Sequence, residues 1–365
     1  MRTAQRVEVV DALRALAMAG VVVVNTASFA LAGSGPIAGI VEPAGSVLAA
    51  CVHGIIVALF QNKAYPLLAF LVGYTMAMQM RGGAAHLIAR RKRVALIMIA
   101  LGLIHGFILY FGDILLAYGL MMLILVRLRK TRLRYVLRAA IVVGVIAVLT
   151  SISFLTTKAQ DVTYALGDAA TWAEAITENA RMFSYSVVAL PIGLLPAVLV
   201  FGLLGLAAGR LRWLEAPHRW AAQWRGVARV GLTWGLLLNL ANGVFSGITA
   251  YRGTHYDFAE FTLPGTVGPL LTAGIVAAVA LRFAAGNANG LRALAPAGRY
   301  TLSMYLGTSA VLMLTIPQAG LGLSQRLGTA GLFVFALALC VVWIAIALTL
   351  AKRGIAGPAE RLLRR

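Results

Sequence analysis

The chain alternates long apolar runs with short polar connections. Its first run, Ala12 to Leu31, reads ALRALAMAGVVVVNTASFAL and is long enough to cross a bilayer. Runs of this kind predict about ten crossings, near residues 12–32, 64–80, 94–112, 114–127, 138–156, 183–208, 227–248, 263–283, 300–317 and 328–350. The expected fold is an all-α, polytopic transmembrane helical bundle, a single integral membrane domain over residues 1–365. Its N-terminal half is 1–156, its outer connection 157–182, its C-terminal half 183–350 and its basic tail 351–365. The apolar segment Ser46 to Gln61 is expected to be a short outer re-entrant or interfacial helix, because a crossing there would put Arg90 to Arg93 outside.

Composition supports the membrane assignment, with 61% hydrophobic residues, 12% charged residues and a mean hydropathy of +0.87. The net charge of +20 is not a nucleic-acid signature, because the basic residues sit between apolar runs. With both termini cytoplasmic, of the 32 Lys and Arg residues Arg14 lies in a span and Lys63, Lys158, Arg181, Arg252 and Arg326 lie outside, which leaves 26 inside. Acidic residues lean outward: Glu42, Asp113, Asp161, Asp168, Glu174, Glu178, Asp257 and Glu260. This is a strong positive-inside signature. Asp11 and Arg14 break the organisation of a signal peptide, so the first run reads as a retained span. Cys51 and Cys340 are too far apart in the predicted topology for a disulfide, and no metal-ligand spacing is present.

Small-residue pairs at Gly102/Gly106, Gly205/Gly209 and Gly231/Gly235 predict close helix packing, and Pro191, Pro196, Pro264 and Pro269 predict kinks or breaks. The outer stretch Asp168 to Phe183 has the spacing of an interfacial helix that roofs the outer mouth. The inner segment from Arg210 to Arg229 interleaves Trp213, Trp220 and Trp224 with arginines, which suits an aromatic belt over anionic lipid or a phosphate-binding mouth.

The candidate chemistry lies in polar residues within apolar runs, which are expensive there and therefore face protein or water. At about 100° per residue, Arg14 and Asn25 fall within about 60° of Asp11, with Asn25 about 20 Å deeper. This reads either as a structural ion pair plus an interhelical amide, or as one wall of a passage. His105 lies about 18 Å past Arg93, with Asp113 about 12 Å beyond it. They suit a general base or proton carrier; alternatively His105 is a packed donor and Asp113 caps the next helix. Lys63 reads as a snorkelling cation or a ligand contact, and Arg299 as an inner anchor or an anion contact. Ser303, Tyr305 and Ser309 form a polar stripe after Arg299.

Several of these segments together resemble the YeiB-like family, the domain-of-unknown-function 418 proteins of bacterial membranes. They are Asp11 to Asn25, Lys63 to Gly73, Leu103 to Leu120, Phe201 to Leu211, Gly298 to Ser309 and Gly357 to Arg365. The family pattern commonly has Gly at Ala15, a bulky aromatic at Ala64 and Asn at Met304, and the last departure bears on any hydrogen bonding around Tyr305. The architecture and the opening Asp-x-x-Arg motif are distantly similar to transmembrane acyltransferases. That resemblance implies acyl-CoA or acetyl-CoA as donor, held by Arg14 and Arg299, and His105 or Asp113 deprotonating a sugar, lipid or other small-molecule acceptor. One branch of those enzymes carries a catalytic His where Asn25 stands here, and an amide is not a base at neutral pH. The competing expectation is a transporter or flippase, proton-coupled or not, lined by the same polar spans. Membrane lipids are expected partners under either reading.

Overall fold

The computed structural model describes residues 7–30, 33–34, 44–81, 84–156, 163–164, 166–253 and 263–363, with side chains left out at 33–34, 152–156, 163–164 and 263–264. Arg2, Arg6, Glu42, Lys158, Asp161, Asp257, Glu260, Arg364 and Arg365, used in the charge argument, lie outside the described residues.

The structure is helical, as the apolar runs predict. In chain order the helices are α1 (Glu8–Phe29), α2 (Val47–Leu59), α3 (Ala64–Gln79), α4 (Ala85–Ile108), α5 (Leu115–Arg127), α6 (Leu133–Thr156), α7 (Trp172–Ala189) and α8 (Leu194–Arg210). They continue with α9 (Ala221–Arg252), α10 (Leu263–Ala284), α11 (Asn289–Leu294), α12 (Thr301–Thr315), α13 (Leu323–Arg326), α14 (Thr329–Lys352) and α15 (Pro358–Leu362). A 3₁₀ turn, Ala295–Tyr300, leads into α12, and a two-residue antiparallel bridge joins Gly33–Ser34 to Thr163–Tyr164.

Among the described residues five helical stretches are long and apolar enough to cross a membrane: Glu8–Phe29, Val47–Gln79, Leu133–Ser151, Gly265–Ala284 and Thr329–Lys352. A sixth is the pair α7 and α8, bent by 62°. That bend falls at Pro191, where the sequence predicts a break. The 13 residues of α5 and 15 of α12 span only about 20 and 22 Å, short of a hydrocarbon core of about 30 Å. Several of the ten expected crossings are therefore shorter than a full span.

The segment after Ser46 forms α2 and, past a break, runs on into α3, so that Val47–Gln79 is one 33-residue apolar stretch. The break between α2 and α3 is held by Lys63, whose ammonium donates to Val57 O at 2.7 Å, and by Thr272, whose hydroxyl donates to Lys63 O at 3.2 Å. The cation satisfies a carbonyl that the end of α2 leaves open. Lys63 is buried in this joint and does not snorkel.

Helix α1 lies inside the bundle against α3, α12, α14 and the Ala295–Tyr300 turn, with Leu13, Met18 and Val22 fully buried. The predicted close packing is present: Gly205 and Gly209 of α8 meet the α3 backbone, and Gly231 and Gly235 of α9 meet α10. Helix α7 starts with a capping box, Thr171 Oγ1 accepting from Glu174 N at 3.2 Å and Glu174 Oε2 from Thr171 N at 3.3 Å. Its Asn179 donates to Gly106 O at 2.8 Å and Phe107 O at 3.1 Å, which ties it to the end of α4. Trp213 packs on Trp220 and Trp224 with ring centroids 5.6 and 5.4 Å apart, and Trp224 is buried. Trp213 and Trp220 are half-buried. Cys51 and Cys340 are both free.

Candidate functional site

A cavity of about 740 Å³ opens among α1, α3, α4, α5, α12, α15 and the turn after α8. Its lining contains six arginines (Arg14, Arg81, Arg90, Arg91, Arg212 and Arg299) and three carboxylates (Asp11, Glu215 and Glu360). Arg90 and Arg212 are exposed, so this basic end is the mouth. Its apolar walls include Met18, Leu68, Val72, Val94 and Met98.

Two of the arginines are fixed by carboxylates. Arg14 donates to Asp11 Oδ1 at 3.2 Å and to Thr75 Oγ1 at 2.6 Å, and Thr75 in turn donates to Leu71 O at 2.7 Å. The Asp11/Arg14 pair expected from helical spacing is thus present, and it faces the cavity. Arg81 holds Glu215 through both of its terminal nitrogens and also donates to Gly209 O. Glu215 hydrogen-bonds Arg81 and raises its pKa further above the ordinary value, against the opposing effect of burial.

Arg90, Arg91, Arg212 and Arg299 have no carboxylate partner among the described residues; Arg299 donates to Pro296 O at 3.2 Å. Burial first, and Arg90 second, push Arg91 down to about 10, a penalty that an anion between the two arginines would relieve. Arg212 sits at φ +56°, a left-handed conformation in the turn held by the tryptophan cluster. Arg299 reaches the mouth because Gly298 touches α1, where a Cβ would collide with Asp11 O.

The C-terminal helix forms part of the same wall. Glu360 Oε1 accepts from Leu302 N at 2.9 Å and Ser303 N at 3.0 Å, while Oε2 takes the Ser303 hydroxyl. A carboxylate at the start of α12 satisfies open N–H groups and suits the helix dipole. Ser303 is used by this cap. Ser309 is buried lower on α12, 3.4 Å from Tyr305 O.

On α1, α4 and α12 the lining residues farthest along the helix from the basic mouth are Met18, Met98 and Tyr305. His105 and Asp113 lie just beyond, with His105 Nδ1 2.8 Å from Asp113 Oδ2 and side chains only 1% and 0% exposed. Asp113 also caps α5, its Oδ1 accepting from Leu116 N at 2.9 Å. The capping and pairing roles coexist, one on each oxygen. Gly102 makes this possible, since a Cβ there would collide with Leu116 N. His105 Nε2 has no partner among the described residues. Its ring lies 4.9 Å from that of Tyr305 and 6.3 Å from that of Tyr110, and the Tyr305 hydroxyl accepts from Ile114 N at 3.3 Å.

Residues 208–365 match a family model described as a protein of unknown function (DUF418). The chain is similar to that family over its C-terminal region. No curated protein matches the chain. The DUF418 region supplies Arg212, Glu215, Arg299, Tyr305 and Glu360, whereas Asp11, Arg14, Arg81, Arg90, Arg91, His105 and Asp113 come from the part before it. The match agrees with the YeiB-like resemblance of the sequence.

Of the residues singled out in the sequence, Asp11, Arg14, Arg299 and Tyr305 meet in the cavity, and His105 and Asp113 pair behind it. Asn25 is buried deeper on α1, and Lys63 and Ser303 hold structural contacts. Thr75, Arg81, Arg90, Arg91, Glu215 and Glu360 were missed as site residues, whereas Arg212 belongs to the segment for which a phosphate-binding mouth was one reading. Glu215 and Glu360 did carry a signal, as isolated acids within basic inner segments.

Proposed function

We propose that this protein is a membrane-bound acyltransferase-like enzyme of the bacterial cytoplasmic membrane. It takes an acyl donor with a phosphate-bearing head, acyl-CoA or acetyl-CoA, at the basic mouth and passes the acyl group to a hydroxyl acceptor at His105. The single observation that carries this reading is the continuity of the cavity from six arginines to Tyr305, whose ring rests against a buried His–Asp pair with a free Nε2. Charge-assisted contacts from planar guanidinium groups suit phosphates, and the apolar walls suit an acyl chain. The residues present therefore fit the donor. Charge asymmetry supports ten crossings with both termini and the mouth on the cytoplasmic side.

Asp113 holds the His105 tautomer that carries its proton on Nδ1, leaving Nε2 to accept one, the arrangement that makes a histidine a directed base. The acceptor hydroxyl gives its proton to Nε2 while its oxygen bonds the acyl carbonyl carbon. As the carbon–sulfur bond breaks, the leaving thiolate takes up the proton. Asn25 cannot replace His105 as the base; its amide is a hydrogen-bonding group only. Calorimetric titration of CoA into purified protein tests the donor site: saturable binding that weakens in Arg14→Ala is expected, and no binding would overturn the reading.

A transporter is the second reading, favoured by the closure of the cavity at Tyr305, as a carrier open to one side would show. Flux in proteoliposomes without any acyl donor, lost in His105→Ala, would select it instead.

A further inference from the structure

Each of three helices framing the cavity carries a buried polar atom without a hydrogen-bond partner among the described residues, three to seven residues beyond its lining residue farthest from the mouth. On α12, Thr308 follows Tyr305 by three residues, is 0% exposed and leaves Oγ1 unpartnered. On α1, Asn25 follows Met18 by seven residues, about 20° from it around the helix, and leaves Nδ2 unpartnered. On α4, His105 follows Met98 by seven residues and leaves Nε2 unpartnered. Aromatic contacts bring these faces together: Phe29, one turn past Asn25, stacks on Tyr110 at 4.8 Å, and Tyr110 and Tyr305 both flank His105.

Partnerless polar atoms inside a protein are costly, and three on converging faces call for a shared occupant. No charge is free to hold an ion there. Both oxygens of Asp113 are engaged, one by His105 and one by Leu116 N, and the free arginines stand at the mouth. We propose that the polar faces continue past Tyr305 as a second, uncharged subsite, which binds a neutral hydroxyl group through Thr308, Asn25 and His105. The Tyr305 ring separates it from the basic cavity. Thr308 and Asn25 offer donors to the hydroxyl oxygen, and His105 Nε2 accepts its proton. That this hydroxyl is the acyl acceptor rests on the function proposed above, but the subsite itself does not.

Cysteine reactivity tests the subsite without knowledge of the substrate. In full-length protein carrying Cys51→Ser and Cys340→Ser, Thr308→Cys and Asn25→Cys are exposed to methyl methanethiosulfonate, a small neutral reagent, and to its trimethylammonium-ethyl analogue. Ala336→Cys, at 1% exposure in the packed core, is the control. Both test positions are expected to react with the neutral reagent about tenfold faster than the control, faster still with Tyr305→Ala, and slowly with the cationic one. Rates no faster than the control, with Tyr305 present or replaced, would overturn the subsite, and equal rates with the cationic reagent would overturn its neutrality. Absence of CoA binding would remove the donor reading alone, since neither cysteine readout depends on it.

Discussion

The two ends of the cavity solve opposite problems on the same helices. At the mouth, α1, α4 and the turn before α12 present charge in excess, some of it pinned by Asp11 and Glu215 and some unpaired. About three to four turns deeper, the same faces present neutral groups and a single dry His–Asp pair. Water at the mouth solvates unpaired arginines at little cost, whereas a lone ion at the deep end would pay for desolvation with no partner. Under the proposed function, long-range attraction belongs to the mouth and directed proton transfer to the deep end, so that one governs what binds and the other what reacts.

The largest effect expected from this division is at the deep end. His105→Ala should lower acyl transfer by about 10²- to 10⁴-fold, the range for loss of a general base, while calorimetric CoA affinity stays unchanged. A parallel fall in affinity would break the separation. Arg299→Ala should do the reverse, weakening CoA about ten- to a hundredfold for loss of a charge-assisted contact, with turnover retained at saturating donor.

The mouth should also be nearly insensitive to pH between about 7 and 8, where phosphate groups stay ionised and even Arg91, pushed down to about 10, stays protonated. Glu215 raises the pKa of Arg81, so that pair is intact at every lower pH at which Glu215 remains ionised, and its cationic half is lost only as pH rises past the raised value. Titrations across that window should give one affinity, whereas added salt should weaken it. A smaller loss is expected of Glu360→Gln, about 1 kcal/mol of thermal stability, typical of a weakened helix cap, with a lesser drop in CoA affinity.

Much of the mouth was legible in the chain. Asp11 and Arg14 stand three residues apart, a local relation that helical geometry fixes, and the His105/Asp113 contact joins two positions eight residues apart across one turn. Arg299 was legible as an inner cation, but its proximity to Arg14 depends on Gly298 touching α1, a tertiary event. The Arg81/Glu215 and Ser303/Glu360 contacts link positions 134 and 57 residues apart, and no periodicity reveals such pairs. The apolar runs gave helix positions well, yet run length alone overstated full crossings, because α5 and α12 are too short to span unaided. Of the rings expected in a belt, Trp213, Trp220 and Trp224, the last is buried against its neighbours, because aromatic rings beside arginines pack on one another as readily as they meet lipid.

The cap by Glu360 bears on when the site comes into being. The pocket wall it completes, with Leu363, is translated after every other helix that borders the cavity. During synthesis the arginines at the mouth are thus assembled before the last side of their enclosure, and a nascent chain halted after α14 would present an open basic trough. Tight, saturable anion binding would then report that translation has passed α15 and that this helix has docked.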